Sequence, residues 1–280
     1  MPRVVGTESH EKVKEFIIAK MRELNWNVEL DEFVEDTPIF NQLTFNNIIA
    51  TLNPNAERFL ILACHYDSKY FENEEFLGAT DSAVPCAMMI NLAHVMSKYL
   101  ETIKSKNDVS IKLVFFDGEE AFKTWTATDS IYGARHLAAK WENEGFLPQI
   151  DMMVLLDLLG APNPTFYNFF DNTERWYSRL VKTEEKLENS SLLQRHQKSG
   201  TLRTNNSRYF QLRSVHAGIE DDHIPFLRRN VPILHLIPVP FPEVWHKMDD
   251  NLEAIDLLSV ENLNKILRIF VAEYLHIQVE

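Results

Sequence analysis

Three short apolar runs in this chain end on acids or a histidine, and that pattern restricts the fold more than any other feature. Phe59-Leu60-Ile61-Leu62-Ala63-Cys64 runs into His65-Tyr66-Asp67. Val109-Ser110-Ile111-Lys112-Leu113-Val114-Phe115-Phe116 runs into Asp117-Gly118-Glu119-Glu120, and Met152-Met153-Val154-Leu155-Leu156 into Asp157. Runs this short are of strand length, and continuous apolarity means burial on both faces. Helical periodicity lies around them. Val13, Phe16, Ile17, Met21 and Leu24 predict a helix over roughly 10–24, and further helices are expected at 82–100, 131–141, 172–189 and 256–277. Two more strands are read at Asn47–Leu52 and Pro232–Ile237. Buried strands alternating with helices predict an α/β fold around a mostly parallel sheet. In such sheets ligands bind outside the carboxyl ends of the strands. His65, Glu119, Glu120 and Asp157 are therefore expected on one rim.

Composition narrows the function. The 280 residues carry 28 Lys and Arg against 41 Asp and Glu, a net charge of −13, so a phosphate backbone is repelled and no nucleic-acid role is expected. Only 8 glycines leave little for a Gly-rich nucleotide cradle. No run approaches the roughly 20 apolar residues that span a bilayer, and Met1 to Gly6 lacks the apolar core of a signal peptide. Cys64 and Cys86, the two cysteines, neither demand nor exclude a disulfide. The polar stretch 194–214 reads as a surface loop within one domain.

Each candidate residue has an ordinary reading. Asp81 in Gly78-Ala79-Thr80-Asp81-Ser82 fits a helix cap. Glu119 and Glu120 fit first-turn acids favoured by the helix dipole, and His246 fits a packed or exposed histidine. Asp157 is harder to dismiss, because an unpaired carboxylate at the end of a buried strand is costly. Together they suggest a metal. Asp, Glu and His are the ligands of a catalytic zinc that uses no cysteine and keeps one position open. With adjacent glutamates, one can bind the ion while its neighbour moves protons.

Longer motifs carry a resemblance. The segments Ala63–Lys69, Gly78–Cys86, Phe115–Phe122, Leu156–Pro164 and Phe241–Asp250 look like those of the animal glutaminyl cyclases, in the same order over nearly the whole chain. The resemblance implies a zinc-aminopeptidase-like fold, a single α/β catalytic domain over 1–280 with a central mixed sheet flanked by helices. It implies one zinc per chain held by Asp81, Glu120 and His246, with Glu119 as general acid/base. Asp157 and Asp221 would form a carboxylate pair, and Trp125, Phe241 and Trp245 would line the pocket. Without it, Glu220-Asp221-Asp222-His223-Ile224-Pro225 reads as a helix start.

The implied activity converts N-terminal Gln of peptides and proteins, and Glu more slowly, to pyroglutamate, with no obligate protein partner. The resemblance also implies a Cys64–Cys86 disulfide, hence an oxidising secretory compartment, in agreement with sequons at Asn189 and Asn205. It further implies an upstream signal or anchor and an N-terminal segment outside this chain. Glu220 and Asn230 depart from the Gln and Gly expected of close relatives, and the loop Phe71–Leu77 is short. The alternative on the same ligands is a dinuclear zinc aminopeptidase, in which His65 and Asp157 join a second ion bridged by Asp81. A non-catalytic interaction module would have lost these acids, and they are intact.

Overall fold

The computed structural model describes residues 1–194 and 208–278. Helix α1 (Glu8–Glu23) is capped by Thr7, whose hydroxyl accepts from the His10 amide. A long hairpin follows, β1 (Asn27–Thr37) and β2 (Asn41–Thr51). Next come β3 (Arg58–His65), α2 (Val84–Val95), α3 (Ser97–Glu101), β4 (Val109–Phe116), α4 (Tyr132–Asn143) and β5 (Ile150–Leu156). The last part holds β6 (Phe166–Asn168), α5 (Glu174–Asn189), β7 (Phe210–Ser214), α6 (Ile224–Leu227), β8 (Ile233–Leu236) and α7 (Leu257–Tyr274).

The main sheet runs in the order β1-β2-β4-β3-β5-β8. The hairpin strands pair antiparallel with each other and β2 pairs antiparallel with β4, whereas β4, β3, β5 and β8 are mutually parallel. The expected mixed, mostly parallel sheet is thus present. Strand β3 shows why its run is apolar throughout. Leu60, Leu62 and Cys64 enter one core with residues of α1, α2, α5 and α7, and Phe59, Ile61 and Ala63 enter the other with residues of α4 and α6. A side chain such as Leu62, fully buried, contributes about 1.5–3 kcal/mol.

The hairpin departs from expectation. Strand β1 reads Asn-Val-Glu-Leu-Asp-Glu-Phe-Val-Glu-Asp-Thr and buries only Asp31, Phe33 and Thr37, so it lacks an apolar run. As an edge strand it keeps one side in solvent. The outer end of β2, residues 41–44, pairs only with β1 and is not buried, for the same reason. The helix expected over 82–100 is broken at Met96 into α2 and α3. Part of the expected 194–214 loop is strand β7, paired with β6. Residues 195–207, with the Asn205 sequon, lie outside the described residues, and Asn189 is exposed at the end of α5. Asn230 adopts φ 63, a left-handed conformation that Gly takes freely and Asn tolerates, so the backbone here suits either residue.

The amino-terminal segment is tied to the rim. Arg3 is 6% exposed. Its guanidinium donates to the carbonyls of Tyr66, Leu77, Asp67, Gly78 and Asp81, and its amide to Ser68 Oγ. It clamps both ends of the 66–81 loop. Lys has too few donors to replace this fork. Arg3→Ala leaves buried carbonyls unpaired at about 1–3 kcal/mol each, and should lower stability by roughly 3 kcal/mol or more, with Arg3→Lys recovering less than half. Urea unfolding checks this: an unchanged midpoint for Arg3→Ala would show that the clamp carries no stability.

Candidate metal centre

The carboxyl ends of the four parallel strands open on one rim, and each supplies a loop. Beyond β3 come His65 and Asp67. Beyond β4, Gly118 makes the turn that leads into Glu119 and Glu120: its φ is +66, and a Cβ there would meet the Phe45 ring at 2.5 Å. Asp157 follows β5, and the segment after β8 reaches Phe241, Trp245 and His246. Asp81 arrives on the loop held by Arg3, next to Gly78, where a Cβ would lie 2.2 Å from the Asp81 carbonyl.

Asp81, Glu120 and His246 each offer a ligand atom, and the three atoms lie within 4.8 Å of one another. His246 Nε2 stands 3.4 Å from Asp81 Oδ2 and 3.3 Å from Glu120 Oε1. Both oxygens are buried without a hydrogen-bond partner, a situation that costs several kcal/mol unless a cation meets them. Their other oxygens are taken. Glu120 Oε2 accepts from Lys69 Nζ at 3.2 Å, and Asp81 Oδ1 from His65 Nε2 at 3.0 Å. Each carboxylate thus has one oxygen left for an ion. The donor set fits a three-ligand zinc site with an open position. Burial works against a charged His246, but Asp81 and Glu120 push its pKa up to about 9, so the site attracts positive charge. His246 itself sits in the left-handed region, at φ 54, which costs about 1–2 kcal/mol. The Trp245 ring stacks on its imidazole, 4.3 Å between centroids.

Glu119 is 7% exposed and raised well above the ordinary glutamate pKa, first by burial and then, against the pull of His65, by Glu120, Asp221 and Asp222. Its amide and that of Glu120 both donate to Asp67, which orients the glutamate turn. Asp157 accepts from the Ser82 hydroxyl, and burial together with the charge on Asp221 pushes it up to about 6 against the pull of His65. Asp221 lies behind, 2% exposed. It acts on Asp157 through its charge, while its own Oδ2 accepts from His235 Nε2 at 2.6 Å.

A pocket of about 490 Å³ is lined by Asp81, Glu119, Glu120, Trp125, Asp157, Phe241, Trp245 and His246 among others. Of the candidate site residues named from the sequence, Asp221, His65 and the two cysteines do not line it. Phe241 and Trp245 meet edge to face at 4.9 Å, and the Trp125 indole donates to Glu220 at 2.8 Å. Sequence reasoning missed the supports: Asp67, Lys69, Ser82, His235 and Arg3. Asp67 carried a signal, since it follows a buried strand as Asp117 and Asp157 do.

Fold and site together define a class, the α/β proteins with a carboxylate–histidine centre at the strand rim. Residues 47–271 match the model of Peptidase family M28. A glutaminyl-peptide cyclotransferase of Drosophila melanogaster is 59% identical over 98% of this chain and 78% of its own length. The crystal structure of Macrostomum lignano glutaminyl cyclase superposes with TM-score 0.90 at 40% identity, covering 100% of this chain and 87% of that one. A Zn-dependent exopeptidase from Parabacteroides distasonis shares the fold, with TM-score 0.76 at 19% identity over 96% and 92% of the two chains. The chain belongs to the glutaminyl-peptide cyclotransferase family, within Peptidase family M28.

Two substitutions separate ion binding from proton transfer. His246→Ala should lose the bound metal together with activity, because a three-ligand site spares none readily. Glu119→Gln should keep the metal while turnover falls about 10²–10⁴-fold. Metal analysis beside turnover decides both: a fully loaded, active His246→Ala protein would remove His246 from the ligand set, and less than a tenfold fall in Glu119→Gln would assign the proton work elsewhere.

Proposed function

We propose that this chain is a zinc-dependent glutaminyl-peptide cyclotransferase. It converts N-terminal Gln of peptides and proteins to pyroglutamate with release of ammonia, and N-terminal Glu more slowly with release of water. Family membership supports the reaction. The observation that carries the site is the buried, hard-to-ionise Glu119 next to two orphaned carboxylate oxygens in an aromatic-walled pocket. In this reading Asp81, Glu120 and His246 hold one zinc, and 1–280 is one catalytic domain.

The α-amine and the γ-carbonyl belong to one residue, so the site has to orient rather than capture a second reactant. Zinc held by the three ligands would supply Lewis-acid polarisation of the γ-carbonyl. Asp157 accepts hydrogen bonds from the neutral α-amine and aims its lone pair at the carbonyl carbon. As the new C–N bond forms, Glu119 takes the amine proton. It returns that proton to the side-chain nitrogen as the old C–N bond breaks, and ammonia leaves. A glutamate whose pKa burial and neighbouring acids raise holds an accepted proton better than a free one does. Trp245, Phe241 and Trp125 wall the pocket and keep water from competing with the amine.

The cluster of His65, Asp81 and Asp157 favours a second reading, a dinuclear aminopeptidase. A Gln-initiated peptide tests the two together: cyclisation lowers its mass by one ammonia, aminopeptidase action releases free glutamine, and metal analysis gives about one zinc per chain for the former or two for the latter. Release of glutamine with two zinc ions would overturn the proposal.

Cys64 and Cys86 are buried, free in this structure, and face each other with 2.6 Å between their sulfurs. The reading includes their oxidation to a disulfide in the secretory pathway, with the enzyme secreted or organelle-retained. The pair lies behind the metal loop, where the Cys86 thiol donates to the His65 carbonyl, and supplies no ligand. Closing a loop of this length contributes about 3 kcal/mol in the chain-entropy model. Protein from its native compartment should resist alkylation at both positions until reduced, and reduction should lower its melting temperature while sparing most activity. Two alkylated thiols without reduction would remove the disulfide and the argument for that compartment.

A further inference from the structure

A second cavity, of about 300 Å³, adjoins the pocket, and Trp125 and Glu220 line both. The hydrogen bond from the Trp125 indole to Glu220 Oε2 is thus the partition between them. The far wall carries Arg135, Arg228 and Arg229. Two of these are already matched: Arg135 lies 2.9 Å from Glu35, and Arg229 lies 2.9 Å from Glu142 and donates to the Pro225 carbonyl. Arg228 is exposed and has no acidic partner among the described residues. The cavity is therefore polarised, with a carboxylate at the end shared with the pocket and an unmatched guanidinium on the wall beyond.

We infer that this cavity is a subsite for the substrate downstream of its N-terminal Gln, and that Arg228 receives a carboxylate there, an Asp or Glu side chain or the C-terminus of a short peptide. The inference rests on the proposed cyclotransferase reading, in which the first residue fills the pocket and the rest of the chain leaves past Trp125 and Glu220, the residues shared with the adjoining cavity. An extended peptide advances about 3.3 Å per residue, so residues beyond the second reach the basic wall. Guanidinium and carboxylate match as planar fork and acceptor pair. Glu220 works in the opposite sense and disfavours an acid directly after the Gln. Specificity then comes from the order of charges along the peptide: an acid is rejected at the partition and accepted beyond it.

Steady-state kinetics on peptide amides of the form Gln-Ala-Ala-Ala-Ala test this. Glu or Lys is placed at each of residues 2 to 5 in turn, with Gln-Ala-amide as the control too short to reach the cavity. At one or more of residues 3 to 5, Glu should lower KM about two- to fivefold relative to Lys, with kcat unchanged. The difference should shrink in high salt. Arg228→Ala should abolish it and Arg228→Glu reverse it, while both variants cyclise Gln-Ala-amide at the wild-type rate. Equal KM for Glu and Lys peptides at every position, or a difference that survives Arg228→Glu, would overturn the subsite. Failure of the unmodified enzyme to cyclise Gln-Ala-amide would instead remove the cyclotransferase reading, and the subsite with it.

Discussion

Mutual repulsion among buried acids is the constraint around which this molecule is organised. Asp67, Asp81, Glu119, Glu120, Asp157, Asp221 and Asp222 are all buried near the rim of the parallel strands. Two such charges 4 Å apart repel by about 4 kcal/mol at an effective dielectric near 20. Every counter-charge in the neighbourhood answers this. His65 stands among Asp67, Asp81 and Asp157, which hold its pKa well above the ordinary value despite burial. Lys69 answers Glu120, and Asp221 Oδ2 is held by a hydrogen bond from His235 Nε2. The acids that lack enough compensation become harder to ionise: burial and like charge raise Glu119, Asp157 and Asp222. Crowding of carboxylates thus yields an ion-seeking cluster and a proton-holding glutamate from the same cause.

Parallel topology is what assembles that crowd. Each parallel strand must be followed by a crossover, so the segments after β3, β4, β5 and β8 all begin on one side of the sheet. Antiparallel pairing would have sent alternate loops to the opposite rim. The aromatic residues serve the same end by lowering local polarity. Trp245 fixes His246 by stacking, and Phe241 braces Trp245. Reacting groups that are already joined in one residue need little more than this: a fixed direction of approach and one group that shuttles a proton.

Much of this was legible in the sequence because burial on both faces writes an unmistakable run, as in β3, β4 and β5. Acids placed directly after those runs, Glu119 and Asp157, were legible for the same reason. Strand β1 was not, since an edge strand with one wet side needs no such run and its charged residues imitate a loop. Nor was the short pairing of β6 with β7, which depends on tertiary neighbours. Asp221 was found only through family likeness. Its meaning depends on His235, which is on a different element, and only the folded sheet brings the two together. The supports at Arg3 and Lys69 were hidden for a similar reason: an arginine or lysine in sequence looks like a solvated side chain until the carbonyls or carboxylate it answers are placed around it.

Asp81 stands with one oxygen on each side of a divide. Oδ2 faces Glu120 and His246, and Oδ1 accepts from His65, which with Asp157 forms a second set of donors just as close-knit. His65 joins the two sets, hydrogen-bonded to the Asp81 oxygen that the first set leaves free. The two sets share one carboxylate, so filling or emptying the second requires no change in the residues of the first. The identity of the donors and the identity of their occupant are thus separate matters, and these residues taken by themselves do not mark which reaction a chain performs.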